Sequence, residues 1–171
     1  KELNETAVNL GAKSVFAFAT AAVRNAKNSS DFVNLVFNLC RVKVDVITSN
    51  LESELAVLGA LQNQDGCVID IGGASTEIAF SKNGNIEYNY SYDVVSVNLR
   101  TSCGNDRKKI ENHLQKIING SYANNFELVK GIGGTITSLA VIDLKLKEYN
   151  SLKVDNHYMS IQTLEQIENQ L

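Results

Sequence analysis

Proline is absent from the 171 residues, methionine occurs once, and there are only three cysteines and two histidines. Each scarcity excludes something. Cys40, Cys67 and Cys103 are odd in number and far apart. They fit neither a disulfide framework nor a zinc spacing, and they point to a reduced, cytoplasmic home. His113 and His157 have no metal-ligand partner at helical spacing and read as surface or structural residues. No stretch approaches the roughly 20 apolar residues of a membrane helix, so no membrane partner is expected. No signal-peptide pattern opens the chain. A net charge of −3 implies no basic surface, so no nucleic acid is expected either. The missing proline, with frequent asparagine, reads as compositional bias. No repeat at a period of about 20 to 50 residues is evident. The chain starts without Met in a helix-like pattern over Lys1 to Leu10, with Leu3, Ala7, Val8 and Leu10 near one face, which suggests an excised fragment.

What is present is ordinary for a globular chain: 44% hydrophobic and 20% charged residues, enough to build a core in one or two domains. Ser14 to Thr20 is a short apolar run that predicts a strand buried on both faces. Ser30 or Asp31 caps a helix to about Leu39, with Phe32, Leu35, Val36 and Leu39 on one face. Val42 to Thr48 alternates as a strand. Ser49 and Asn50 cap a helix over 51–61, with Leu51, Leu55, Leu58 and Leu61 at helical spacing. A hairpin follows: strand 67–71, strand 75–82, the turn Asn83-Gly84-Asn85 and strand 86–94. Then come a helix over 105–118, a strand over 126–129, a helix over 136–146 and a helix from 158 to Leu171, capped near Ser160 or Thr163. Strands and helices alternate as in an α/β fold with partly parallel sheets.

The chemistry concentrates in Val68 to Glu77. Asp70 lies among Val68, Ile69 and Ile71, where a carboxylate is costly without a partner or a metal. Gly72 and Gly73 let backbone approach a ligand closely, Ser75 and Thr76 add hydroxyls, and Glu77 adds a second carboxylate. A second turn, Gly131-Ile-Gly133-Gly134-Thr135, also follows a strand and opens a helix, a natural phosphate site. Either turn alone could need glycine for geometry; two of them, one with Asp and one with Thr, favour phosphate and metal chemistry. Neither is a Walker A loop, because no Gly-Lys-Ser/Thr follows. Glu52 and Glu54 at a helix start are either acids favoured by the dipole or a base that orients a water. Arg24 is either solvated or a fork for phosphate. The run Arg107, Lys108, Lys109 reads as a solvated helix face, and Tyr88, Tyr90 and Tyr92 as one face of a strand.

These stretches together resemble the exopolyphosphatase and guanosine pentaphosphatase (Ppx/GppA) family. Asp70-Ile-Gly-Gly-Ala-Ser-Thr-Glu77 is similar to that family's second phosphate motif, and Gly131-Ile-Gly-Gly-Thr135 to its third Gly motif. Ala19-Thr-Ala-Ala-Val-Arg24-Asn-Ala-Lys-Asn28 is similar to its Ala-Thr-x-Ala-x-Arg-x-Ala-x-Asn stretch. Ile47-Thr-Ser-Asn-Leu-Glu52-Ser-Glu-Leu resembles the stretch holding its catalytic glutamate; where the family has Ser-Gly-x-Glu-Glu-Ala this chain has Ser49-Asn-Leu-Glu52-Ser53-Glu54, with Leu51 at the first of the two Glu positions and Glu52 at the catalytic one. The resemblance implies a ribonuclease H-like α/β fold of the actin, sugar kinase and Hsp70 ATPase superfamily, with both lobes incomplete. Residues 1–62 would be the end of lobe I with its crossover helix, and 63–171 most of lobe II. It implies hydrolysis of terminal phosphoanhydride bonds in polyphosphate or guanosine pentaphosphate, in a parent that can form a homodimer. Glu52 would act on the water, and Asp70 and Glu77 would hold Mg2+. Arg24, Gly72, Gly73, Ser75, Thr76, Gly133, Gly134 and Thr135 would bind phosphate. A non-catalytic binding module is the rival reading, and a sugar kinase of the same superfamily a weaker third.

Overall fold

The computed structural model describes residues 2–118 and 126–170. The helix ends expected at Lys1 and Leu171 lie outside that range. The chain divides into two compact units, Lys1–Leu55 and Ala56–Leu171.

In the first unit, helix α1 (Glu2–Asn9) precedes strand β1 (Ala17–Ala19), the single turn α2 (Ala21–Arg24), helix α3 (Ser29–Cys40), strand β2 (Val44–Val46) and the start of α4 (Ser49–Leu61). β1 and β2 pair in parallel, Phe18 opposite Asp45. The expected burial of this sheet is not found: Phe16 is 91% and Phe18 60% exposed. A parallel sheet is buried when layers cover both faces, and among the described residues this one has two strands. The apolar face expected on α3 is likewise exposed at Phe32, Leu35 and Leu39. α3 begins after Asn28, before the expected cap, and ends at Arg41 in the left-handed region with φ 57°.

α4 corrects two expectations. Its cap is Thr48, whose hydroxyl accepts from the Leu51 N–H at 3.2 Å, while Ser49 and Asn50 are already helical. Its inward row is Ser53, Val57 and Leu61, spaced i, i+4, i+8, and Leu51, Leu55 and Leu58 are exposed. The alanines decide this rotation. Ala56 and Ala60 flank Val57 and Leu61 and let the helix lie close against Val68 and Ala79 of the sheet.

The second unit carries strands β3 (Gly66–Ile71), β4 (Thr76–Lys82) and β5 (Asn85–Tyr92), then helices α5 (Ser96–Cys103) and α6 (Arg107–Ile117), strand β6 (Val129–Ile132) and helices α7 (Gly133–Asp143), α8 (Ser151–Val154) and α9 (Ile161–Gln170). Sheet order is β5-β4-β3-β6, antiparallel except for the parallel β3–β6 pair. The hairpin turn is the expected one: Asn83 and Gly84 take φ 52° and 74°, the two positive angles of a tight primed turn. A bulge between Phe80 and Ser81 shifts the register of β5 by one residue.

Three elements differ from the sequence pattern. β6 starts at Val129, not Phe126, and the Phe126 ring stacks on Phe80 with centroids 4.4 Å apart. α7 starts at Gly133, three residues early, so the second Gly turn is itself the first turn of the helix. α5, sequence SVNLRTSC, has no apolar periodicity and was not anticipated. α9 has its expected cap, Ser160, which accepts from the Thr163 N–H, and α6 is capped by Asp106, which accepts from the Lys109 N–H, both at 3.1 Å. His157 is structural, with Nε2 2.7 Å from Asp143 Oδ2.

Candidate functional site

Both units place their candidate residues at the carboxyl ends of two neighbouring parallel strands, where α/β sheets bind ligands. In the second unit these are β3 and β6. Asp70 lies opposite Glu77 in the β3–β4 register and opposite Ile132 in the β3–β6 register, and Glu77 lies opposite Ser91 of β5. One row, Ser91–Glu77–Asp70–Ile132, therefore crosses the sheet. Directly opposed residues share a face, so the two carboxylates are neighbours. Glu77 is 3% exposed and accepts from the Ser91 hydroxyl at 3.0 Å. Asp70 is half-buried.

The Asp70 carboxylate also touches the second Gly turn. A Cβ added to Gly133 would come 2.5 Å from Asp70 Oδ1 and 2.6 Å from the Ile71 carbonyl oxygen. Gly133 has φ 89°, so both its angle and its space require glycine. Gly73 and Gly134 behave differently. A Cβ at either would meet nothing within 4 Å, and neither has a positive φ. No packing or backbone angle explains glycine there. Both present bare backbone to open space, Gly134 in the first turn of α7, where N–H groups are unpaired within the helix.

The remaining candidates of this unit serve the turn. The Gly72 N–H donates to the Ser75 carbonyl at 3.1 Å, closing the loop, and Ser75 is 5% exposed. The Thr76 hydroxyl donates to the Val94 carbonyl. Thr135 is exposed on α7. Cys67, one strand position from Val68, is no nucleophile at neutral pH: burial pushes its thiol up to about 11.

In the first unit, α2 follows β1 and α4 follows β2, which brings Arg24 to Glu52. Arg24 Nη1 donates to the Ile47 carbonyl at 2.8 Å and to Glu52 Oε2 at 3.1 Å. The two side chains keep 23% and 16% of their surface. Glu54 is exposed, whereas Glu52 is half-buried and paired with Arg24. Three participants were missed by sequence reasoning: the Ile47 carbonyl, Thr48 and Ser91. Counting outward from the Asn83-Gly84 turn sets Glu77 opposite Tyr90; the bulge replaces that partner with Ser91.

Among the described residues no group of three or more His, Cys, Asp or Glu side chains is clustered as a metal cage. The Asp70–Glu77 pair is thus a two-carboxylate set, which suits a hard cation completing its shell with water and phosphate oxygens, as Mg2+ does. No helix among the described residues is long and apolar enough to cross a membrane.

A profile of the Ppx/GppA phosphatase family matches residues 1–166. The structure is similar to a crystal structure of the Ppx/GppA family member of Aquifex aeolicus, with TM-score 0.79 and 26% identity, covering 99% of this chain and 58% of that one. The fold is also that of an exopolyphosphatase from Cytophaga hutchinsonii, with TM-score 0.84 at 19% identity over 99% of this chain and 60% of that one. A curated relative, the bifunctional 3-dehydroquinate synthase/phosphatase of Fusobacterium nucleatum, is 27% identical over 161 residues, which is 83% of this chain and 24% of that protein. The chain spans less than two thirds of the length of each of these proteins. The α/β fold expected from the sequence, that of the actin, sugar kinase and Hsp70 ATPase superfamily, is the fold of this chain.

Proposed function

The chain belongs to the Ppx/GppA phosphatase family, and from that premise we propose that the protein it builds is a phosphoanhydride hydrolase. Its substrate is inorganic polyphosphate, guanosine pentaphosphate or both, and it releases the terminal phosphate. The observation that carries this reading is the pair of Gly turns at the ends of β3 and β6, with Asp70 lodged against Gly133 and bare backbone at Gly73 and Gly134. Such backbone gives N–H donors close access to phosphate oxygens, and the start of α7 adds the positive end of its dipole.

Phosphoryl transfer needs charge neutralisation and an in-line water. Mg2+, held by Asp70 and Glu77 directly or through water, supplies the neutralisation when bound. Opposed carboxylates repel each other, which suits Asp70 and Glu77 to a site that would hold a cation. The N–H groups of Gly73, Gly133 and Gly134 cradle phosphate oxygens, aided by Thr135, whereas the Gly72 N–H and the Thr76 hydroxyl, expected there from the sequence, are donated to the Ser75 and Val94 carbonyls and Ser75 is buried, so these three shape the loop. Arg24 uses its Nη1 on Glu52 and Ile47, leaving Nη2 and Nε as the edge that grips phosphate. Glu52 orients or deprotonates the water. The chain spans 58% of its Aquifex relative, in keeping with a part of a longer parent, and the cytoplasmic location and homodimer of that parent are carried over from the family resemblance alone. By itself the chain is expected to turn over slowly.

The test is phosphate release by the intact protein from both substrates with Mg2+. Glu52→Gln is expected to lower it by about 10²-fold or more, and chelating the metal should stop it. Release at the parental rate from the variant would refute the assigned base. A second reading, a phosphate-binding module without turnover, is favoured by one observation: Glu52 already pairs with Arg24. Calorimetry with guanosine tetraphosphate separates the two, since tight binding without hydrolysis identifies the module.

A further inference from the structure

We infer that Arg24 acts on the reaction through Glu52, as a positioning residue that fixes the carboxylate before substrate arrives. The inference rests on the hydrolase reading above and deepens it. Both hydrogen bonds of Arg24 leave from one nitrogen, Nη1. The first, to the Ile47 carbonyl, ties the guanidinium to backbone at the carboxyl end of β2. Ile47 is buried, and its own N–H donates to the Ala19 carbonyl of β1 at 3.0 Å. The anchor is therefore stitched to both strands of the sheet.

The other end of Glu52 is fixed as well. Its N–H donates to the Thr48 carbonyl at 3.0 Å, and the Thr48 hydroxyl accepts from the Leu51 N–H. Backbone and Oε2 are both held, which leaves Oε1 for the water in this inference. A glutamate has three torsions to restrain, and a catalytic group misplaced by about 1 Å can lose about 10²-fold in rate. With less than a quarter of either side chain exposed, water competes weakly for the pair. Nη2 and Nε have no hydrogen bond among the described residues and remain compatible with a phosphate grip, so the experiment must separate the two roles.

Michaelis kinetics of phosphate release from polyphosphate by the intact protein does so, with Arg24→Ala, Arg24→Lys, Glu52→Gln and the double variants. Arg24→Ala is expected to lower kcat by about 10²-fold, over and above any rise in KM from loss of its phosphate edge. Arg24→Lys, which keeps one cation near Oε2, should recover part of the loss. In the Glu52→Gln background, adding Arg24→Ala should lower kcat by less than about threefold, because residues acting as a unit are not additive. Losses that multiply, or a raised KM at constant kcat, overturn the inference and leave Arg24 a phosphate grip. Unchanged kcat in Glu52→Gln alone overturns the reading of Glu52 instead, and that single variant distinguishes the two failures. If Arg24→Ala does not fold, the same cycle run with Arg24→Lys decides the question by the same criteria.

Discussion

The two units hold their candidate residues by opposite means. In the first, the pair is made by side chains: Arg24 and Glu52 meet at 3.1 Å over a sheet of two strands whose aromatic residues are open to solvent. In the second, it is made by backbone: the register of four strands opposes Asp70 to Glu77, and a left-handed glycine lets α7 begin beside Asp70. The second unit also owns the buried cluster of Val57, Leu61, Val68 and Ala79. A site set by register is as rigid as the core beneath it, whereas one set by an ion pair depends on that contact. This contrast can be broken by truncating one apolar residue in each unit. Leu61→Ala, at 1% exposure, should cost about 2–5 kcal/mol in urea unfolding of this chain. Phe16→Ala, at 91% exposure, should stay within about 0.5 kcal/mol. Equal losses would remove the distinction.

The same contrast explains what was legible in the sequence. The hairpin was readable because Asn83-Gly84 forces a primed turn, and Asp70, Gly72 and Gly133 were readable because strand-to-turn chemistry is local. Ser91 was not, because one extra residue of β5, Glu87, opposite the Phe80–Ser81 step moves every pair farther from the turn by one. The face of α4 was misread because leucine spacing outweighed the small residues: Ala56 and Ala60 set the approach, and three leucines ended exposed. α5 gave no signal, since its eight residues bury none of their side chains. The fate of Phe16 and Phe18 lies outside local pattern altogether, because burial of a parallel strand is a property of the layers around it.

The glycines sharpen the contrast inside the second unit. Gly133→Ala places a Cβ against Asp70 Oδ1 and strains a φ of 89°. It should destabilise the chain by about 1–3 kcal/mol. Gly134→Ala enters open space at an ordinary φ. It should leave stability unchanged or raise it by up to about 1 kcal/mol, while weakening binding of inorganic phosphate measured by calorimetry. If Gly134→Ala destabilises as much as Gly133→Ala, its glycine is a folding requirement and the argument for ligand approach at that turn is lost.

The smallest effect concerns two of the three thiols, one taken from each unit. Cys67 lies on β3 within the core, and Cys40 is half-buried at the end of α3. Burial lifts the Cys67 thiol from 9.0 to about 11. Its thiolate fraction at pH 8 is therefore about a hundredfold below that of an ordinary thiol, and access is blocked as well. Labelling of the folded chain at pH 8 should modify Cys40 and spare Cys67 until urea opens the sheet. The linkage has a definite sign. Between pH 9 and about 11 the folded state keeps a proton that the unfolded chain releases, so stability is full below 9 and declines as pH rises across that window. Cys67→Ala removes that decline, and a melting curve as a function of pH compares the two. An unchanged alkaline slope would mean that β3 opens locally at its Gly66 end, and that the core of the second unit is less continuous than its register implies.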